Sequence, residues 1–354
     1  MTYSRSNISL SNMHLGDGLG NGKFNGLMHI GNELYTLTMV ATDQRGSMRR
    51  MINPDDPKSV TAEQLSEVKS KLIKYLAGKR SPVETSGILV DPQYSYTRDF
   101  IRDCDLRATT GLLMGIEETG AGPLGEFAPK IRIFDKLSAE EGVRRIKNRG
   151  ADAVKLLVYF HPDGPTREYQ QNKVKEIGQA CEKYDMTFLV EPVSHSLEDG
   201  PHKKKEPKKF SKTKPYIVIE TARELTKPEY CLDILKAEFP VNLKLYEELE
   251  QDPLSICREL VEVSRVPTVI LSAGVDYDEF KKNLDYALRA GVSGFLCGRA
   301  IWKEAIGNEN PEAFLETTAV ERVNELASMV KERGKPWYKW FVDSISDIEL
   351  IRGE

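Results

Sequence analysis

Eight short apolar runs, most of them followed by a charged stretch with helical spacing, constrain this chain more than any other feature. They are Leu37–Asp43, Gly87–Asp91, Gly111–Ile116, Ala153–Phe160, Thr187–Val193, Asp233–Pro240, Thr268–Gly274 and Gly294–Arg299. Runs this short and this rich in Leu, Val and Ile read as strands buried on both faces. Strands that alternate with helices read as a parallel sheet with covered faces. Eight of them in one chain favour an α/β fold of the closed (β/α)8-barrel type over an open doubly wound sheet. An open sheet would also carry a glycine fingerprint after its first strand, and the first run ends instead in Asp43–Gln44–Arg45–Gly46.

Capping boxes mark two helix starts. Thr61 and Gln64 open a helix that stops at Gly78, and Ser138 and Glu141 open one that stops at Gly150. Further helices are expected at about 166–184, 217–226, 253–264 and 276–290, with two or more after 312. The link between the second and third runs has room for one short helix. Residues 1–33 read as an N-terminal extension, a cap or hairpin, and 34–311 as a single barrel catalytic domain. Residues 312–354 read as a C-terminal helical segment. Its aromatics, Trp337, Tyr338, Trp340 and Phe341, favour packing on its own barrel over a subunit contact, which leaves a homo-oligomer open. The lysine-rich stretch 196–214 reads as a solvated loop after the fifth strand.

At 354 residues, 40% apolar and 29% charged, the chain has ordinary globular composition, and a net charge of −4 provides no global basic field for nucleic acid. No run approaches the roughly 20 apolar residues of a membrane span, and the polar, glycine-rich N-terminus lacks a secretory core. Cys104, Cys181, Cys231, Cys257 and Cys297 are scattered, with no Cys-x-x-Cys pair, which fits a reduced, cytoplasmic compartment.

The active site of such a barrel lies at the C-terminal ends of its strands. Ionisable residues inside or ending the runs are few: Asp43, Asp91, Lys155, Glu191, Lys236, Glu238 and Arg299. A charge there is costly unless paired or used. Lys236 and Glu238 share one strand face, as do Lys155, Leu157 and Tyr159; the opposite face must meet helices, so both lysines should point inward. Strands four and six fill common interior layers, so the two ammonium groups should lie close and depress at least one lysine pKa toward neutrality. A neutral amine could then attack a carbonyl and form a Schiff base, with Glu191 moving protons. Each residue also has a purely structural alternative: an internal Lys236–Glu238 ion pair, a turn role for Asp91, a helix-entry role for Arg299. The small residues Ser272–Ala273–Gly274 and Cys297–Gly298, beside Arg299, favour a phosphate site after strands seven and eight. A metal-dependent mechanism is disfavoured because His14, His29, His161, His195 and His202 show no ligand spacing. No metal and no cofactor are expected, and full activity after EDTA treatment would check this.

The segments ATDQRGSMRRM (41–51), ILVDPQYS (88–95), GADAVKLLVYF (150–160), FLVEP (188–192), DILKAEFPVN (233–242), ILSAGV (270–275) and GFLCGRAIW (294–302) together resemble the class I tagatose 1,6-bisphosphate aldolases. They are also similar to bacterial sulfofructose-phosphate aldolases. The resemblance implies that Lys236 forms the Schiff base, that Glu191 is the acid/base carboxylate, and that Asp43 and Lys155 contact substrate hydroxyls and the imine. It implies a phosphate site at Ser272, Gly274 and Arg299, and a substrate-binding turn at Gln44 and Arg45. Asp91, Glu238 and Gly298 complete the candidate set. The implied reaction is reversible cleavage of tagatose 1,6-bisphosphate to dihydroxyacetone phosphate and glyceraldehyde 3-phosphate. Cleavage of 6-deoxy-6-sulfofructose 1-phosphate is the alternative within the same chemistry, and a non-catalytic sugar-phosphate sensor is the alternative outside it.

Overall fold

A computed structural model describes residues 19–95, 106, 108–118, 132–198, 207–348 and 350–351. All eight apolar runs are strands of one closed parallel barrel: β1 (Leu37–Ala41), β2 (Gly87–Val90), β3 (Gly111–Gly115), β4 (Ala153–Tyr159), β5 (Thr187–Val193), β6 (Ile234–Glu238), β7 (Thr268–Leu271) and β8 (Gly294–Cys297). Closure is made by β1 pairing with β8, Val40 opposite Cys297. Most strands stop short of the apolar run that announced them. Asp43, Asp91, Ser272 and Arg299 therefore stand just past strand ends, where the backbone is free of the ladder and can turn toward a ligand.

Alternation along each strand divides the apolar residues into two cores. Leu89, Leu113, Leu189, Ile234, Val269 and Leu296 fill the barrel interior. Their neighbours Val90, Met114, Val190, Leu235, Ile270 and Phe295 face outward into the layer between barrel and helices. Each buried Leu or Ile contributes about 1.5–3 kcal/mol by leaving water.

The helices α2 (Gly46–Ile52), α3 (Ala62–Ala77), α4 (Ala139–Asn148), α5 (Arg167–Lys183), α6 (Pro207–Leu225), α7 (Pro253–Val263) and α8 (Tyr277–Ala290) form the outer layer, preceded in sequence by α1 (Asn21–Ile30). Both capping boxes form, at Thr61–Gln64 and Ser138–Glu141. The expected loop 196–214 is partly helix, because α6 begins at Pro207, ten residues ahead of the expected start. Phe210 and Ser211 are buried, two helical turns before Ile217 and Val218, so the lysines around them occupy the outer face. Pro215, which breaks the sequence pattern, sits inside this helix. Past residue 311 the chain is one continuous helical run from Pro311 to Arg333 with a π turn at Leu315–Ala319, followed by short 3-10 turns. The short helix expected between the second and third runs lies largely outside the described residues.

Helix α1 closes the N-terminal end of the barrel. It approaches so closely that a Cβ on Gly26 would lie 2.2 Å from Thr187 Oγ1, and one on Gly111 would lie 2.7 Å from the His29 backbone. Its anchor is Lys23, whose buried Nζ lies 3.0 Å from Asp233 Oδ2 and 2.9 Å from Glu182 Oε2. Trp337 and Trp340 pack beneath it, Trp340 donating to Ser293 Oγ at 3.1 Å. Among the described residues no helix is long and apolar enough to cross a membrane.

Candidate active site

Among the described residues, α1 covers the bottom of the barrel, and the interior opens at the C-terminal ends of the strands into a cavity of about 490 Å³. That size suits a small organic ligand. Asp43, Gln44, Arg45, Lys155, Glu191, Lys236, Glu238, Ser272, Gly298 and Arg299 all line it. Both strand-borne lysines point inward, because each sits at an interior position of the pleat.

Lys155 is fully engaged. Its Nζ lies 2.8 Å from Asp43 Oδ2, 3.0 Å from Glu117 Oε1 and 2.9 Å from Glu191 Oε2, one carboxylate for each ammonium proton. Lys236 Nζ has a single ion-pair partner among the described residues, the same Glu191 Oε2, at 3.0 Å. Burial by itself would lower the Lys155 pKa, but Asp43, Glu117 and Glu191 outweigh it and hold the group well above the ordinary lysine value. The depression expected of at least one of the two lysines does not occur at Lys155: Glu191 lies between the two ammonium groups, and Lys155 stays charged. Burial likewise opposes the charge of Asp43, and Lys155 and Lys236 more than compensate, holding it below the usual carboxylate range.

The internal Lys236–Glu238 ion pair does not form. Glu238 Oε2 instead accepts the Ser194 backbone N–H at 2.7 Å and the Ser194 hydroxyl. At the turn after β1, Arg45 Nη2 donates to the Glu117 carbonyl at 2.8 Å, while its buried Nη1 has no partner; Gln44 Oε1 is likewise buried and unpartnered. Both side chains belong to residues of the cavity wall. Arg299 opens a single helical turn and has no carboxylate within ion-pair distance among the described residues. Gly274, at φ +85°, lies directly against the Arg299 guanidinium, where a Cβ would come within 3.2 Å. It supports that side chain rather than lining the cavity.

Asp91 does not reach the cavity. It is fully buried, and its oxygens accept from the backbone N–H groups of Gln93 and Tyr94, from Ser95 Oγ and from Lys69, whose Nζ is 2.6 Å away. Its carboxylate closes the turn that Pro92 begins and leaves no oxygen for a substrate. Burial lowers the pKa of its partner Lys69. His161 and His195 lie at the ends of β4 and β5 with ring centroids 5.7 Å apart, outside the cavity wall.

Sequence reasoning passed over Glu117, Arg50 and Arg132, which line the cavity together with Tyr159, expected on the inward face of its strand. Glu117 Oε2 also accepts the Leu157 N–H at 3.2 Å, so its carboxylate ties Lys155 to the β4 backbone while its carbonyl holds Arg45. Its signal was available, as a charge one residue past the third run. Arg50 belongs to a seven-residue helix with several polar residues, and nothing in the sequence says which of them faces inward.

A family model described as DeoC/LacD family aldolase matches residues 37–304. Tagatose 1,6-diphosphate aldolase 1 of Enterococcus faecalis is 33% identical over 313 residues, covering 83% of this chain and 90% of that protein. Tagatose 1,6-diphosphate aldolase of Listeria monocytogenes is 30% identical over 350 residues, covering 93% and 97%. Among solved structures, a Schiff base forming fructose-1,6-bisphosphate aldolase superposes with a TM-score of 0.55 at 16% identity, over 88% of this chain and 100% of that one. A fructose-bisphosphate aldolase from Slackia heliotrinireducens gives 0.58 at 11% identity, over 88% and 90%. These structural likenesses concern the fold.

Proposed function

We infer that this chain, which belongs to the DeoC/LacD aldolase family, is a class I aldolase that cleaves a ketose 1,6-bisphosphate through a Schiff base on Lys236. Tagatose 1,6-bisphosphate is the leading substrate, supported by the names of the relatives. Dihydroxyacetone phosphate and glyceraldehyde 3-phosphate are the products. Fructose 1,6-bisphosphate is a second candidate of the same chemistry. The single observation that carries the reading is the sharing of Glu191 Oε2 by Lys155 and Lys236.

From that geometry each step follows. Lys236 passes a proton to Glu191, and the freed amine attacks the C2 carbonyl to give a carbinolamine. Glu191 returns that proton to the carbinolamine hydroxyl, which leaves as water and so frees the carboxylate, while the adjacent Lys155 ammonium, held charged by three carboxylates, stabilises the departing oxygen. The iminium then withdraws the C3–C4 bonding electrons while Glu191 accepts the C4 hydroxyl proton, and the aldehyde departs. Protonation of the enamine at C3 and hydrolysis of the imine release the ketone phosphate and restore Lys236. The phosphate next to the ketone is assigned to Ser272, Gly298 and Arg299, and the sugar hydroxyls to Asp43, Gln44 and Arg45.

The same proposal takes residues 34–311 as the catalytic barrel, flanked by segments 1–33 and 312–354, with a homo-oligomer as an open possibility. A cytoplasmic location is supported by the free, buried thiols of Cys181, Cys231, Cys257 and Cys297. Borohydride reduction in the presence of dihydroxyacetone phosphate, followed by peptide mass mapping, tests the mechanism. The adduct is expected on the peptide carrying Lys236 and absent from Lys236→Met. An adduct on Lys155, or none at all, overturns the assignment.

A further inference from the structure

Glu191 and Lys236 stand on neighbouring strands at the level where those strands part. β5 keeps register with β4 along its whole length, to Val193 opposite Tyr159. With β6 the register ends at Val190 opposite Leu235, one residue before Glu191 and Lys236. Pro192 accounts for the break. The Val193 carbonyl turns toward β4 and accepts the Phe160 N–H at 3.2 Å, so the backbone groups of the alternate residues, Pro192 and Ser194, face β6. Proline has no N–H to offer there. A chamber of about 10 Å³ lies between the two strands and α6, bounded by Pro192, Ser194, Ala237, Glu238, Val218 and Thr221.

Glu238 spans this gap. It is the last residue of β6, shares a strand face with Lys236, and borders both the active-site cavity and the chamber. Its buried Oε2 accepts the Ser194 N–H at 2.7 Å and the Ser194 hydroxyl as well. A side-chain carboxylate thus takes the N–H that the ladder does not, and an ionised acceptor makes a stronger bond than a backbone carbonyl. The bond joins β5, three residues past Glu191, to β6, two residues past Lys236.

The two partners of Glu191 are therefore held by different means. Its place relative to Lys155 follows from the unbroken pairing of β4 with β5. Its place relative to Lys236 has no such ladder at that level. Resting on the aldolase reading above, we propose that Glu238 is a positioning residue: its bond to Ser194 fixes the spacing of β5 and β6 beyond the proline and keeps Glu191 Oε2 3.0 Å from Lys236 Nζ. In this role Glu238 exchanges no proton and binds no part of the substrate.

Three variants separate reach from charge. Glu238→Gln loses the charge and keeps an accepting oxygen at the same distance. Glu238→Asp keeps the charge and is one methylene too short, and Glu238→Ala has neither. For the two shortened variants kcat in the cleavage direction is expected to fall about 10- to 100-fold, the cost of moving a reacting group by about 1 Å. KM should stay within about twofold of the parent's, and the rate of borohydride trapping of dihydroxyacetone phosphate on Lys236 should fall in proportion to kcat. Glu238→Gln should remain within about threefold of the parent in both measurements. If Glu238→Ala does not fold, the other two variants decide the matter by themselves. A loss in Glu238→Gln as large as in Glu238→Asp would make the charge or a proton the essential feature. A raised KM with unchanged kcat would make Glu238 a substrate contact, and a lowered Tm with parental kcat would leave it a purely structural part. Each of these outcomes overturns the positioning role. Failure to trap in the parent defeats the aldolase reading, whereas normal trapping in the parent with equal rates in all three variants defeats only the inference about Glu238.

Discussion

Lys155 and Lys236, reaching inward from β4 and β6, converge on one carboxylate oxygen: Glu191 Oε2 lies 2.9 Å from the first Nζ and 3.0 Å from the second. The two amines are not equivalent. Lys155 has Asp43 and Glu117 as well and is saturated, whereas Lys236 depends on the shared oxygen alone among the described residues. A proton leaving Lys236 therefore has one acceptor in reach, and the lysine beside it is locked as a cation.

Replacing Glu191 by Gln removes that acceptor while keeping the shape of the side chain. We expect kcat to fall about 10²–10⁴-fold with little change in KM, as for loss of a general acid/base. Steady-state kinetics in the cleavage direction check this. A kcat within threefold of the parent's would assign proton transfer elsewhere.

Glu117→Gln weakens the grip on Lys155. The raised pKa of Lys155 means that its contribution to stability is complete below the unfolded lysine value of about 10.4 and is lost as pH climbs through the higher folded value. With one carboxylate gone that folded value drops, so the variant's rate should begin to fall at lower pH than the parent's. Full pH–rate profiles decide the matter. Superimposable alkaline limbs, with only a lowered Tm, would reduce Glu117 to a structural part.

Asp91 is buried against Lys69 and three local donors, away from the cavity. The change Asp91→Asn is expected to cost about 1–3 kcal/mol of folding stability and to leave kcat/KM within about twofold. Urea unfolding alongside the standard assay tests both halves. A selective rise in KM without loss of stability would return Asp91 to the substrate site.

Lys23→Met strands the fully buried Asp233 without its cation, and breaking such a pair by removing one partner costs about 3–5 kcal/mol. The companion double variant Lys23→Met/Asp233→Asn should recover part of that loss. Neither change should alter the borohydride adduct on Lys236, because the pair lies at the opposite end of the barrel. Denaturant midpoints and trapping yields measure the two effects separately.

Much of this architecture was legible beforehand, for a physical reason. Barrel strands are apolar on both faces, so a charge within one, such as Lys155, Glu191 or Lys236, stands out in the linear chain and must face the one polar space available. Turn chemistry was legible too, through the caps at Thr61 and Ser138. What escaped depends on contacts distant in sequence. Lys155 is not depressed by its cationic neighbour, because three carboxylates, Asp43, Glu117 and Glu191, reach it from positions distant in sequence. Asp91 met the strand-end criterion as well as Asp43 did, and only the position of Lys69 on α3 turned it into the core. The early start of α6 was hidden because its lysine-rich first turns look like a solvated loop until Phe210 is seen to be buried.

Among the described residues, the plug formed by α1 and the tryptophans beneath it makes the barrel a vessel with a single door. Whatever is bound deepest at Lys236 cannot leave before the portion lying nearer the opening. For the proposed cleavage, the aldehyde half would then depart first and the covalently tethered three-carbon ketone last. Ordered product release would thus follow from the shape of the container itself, with no moving gate required to impose it.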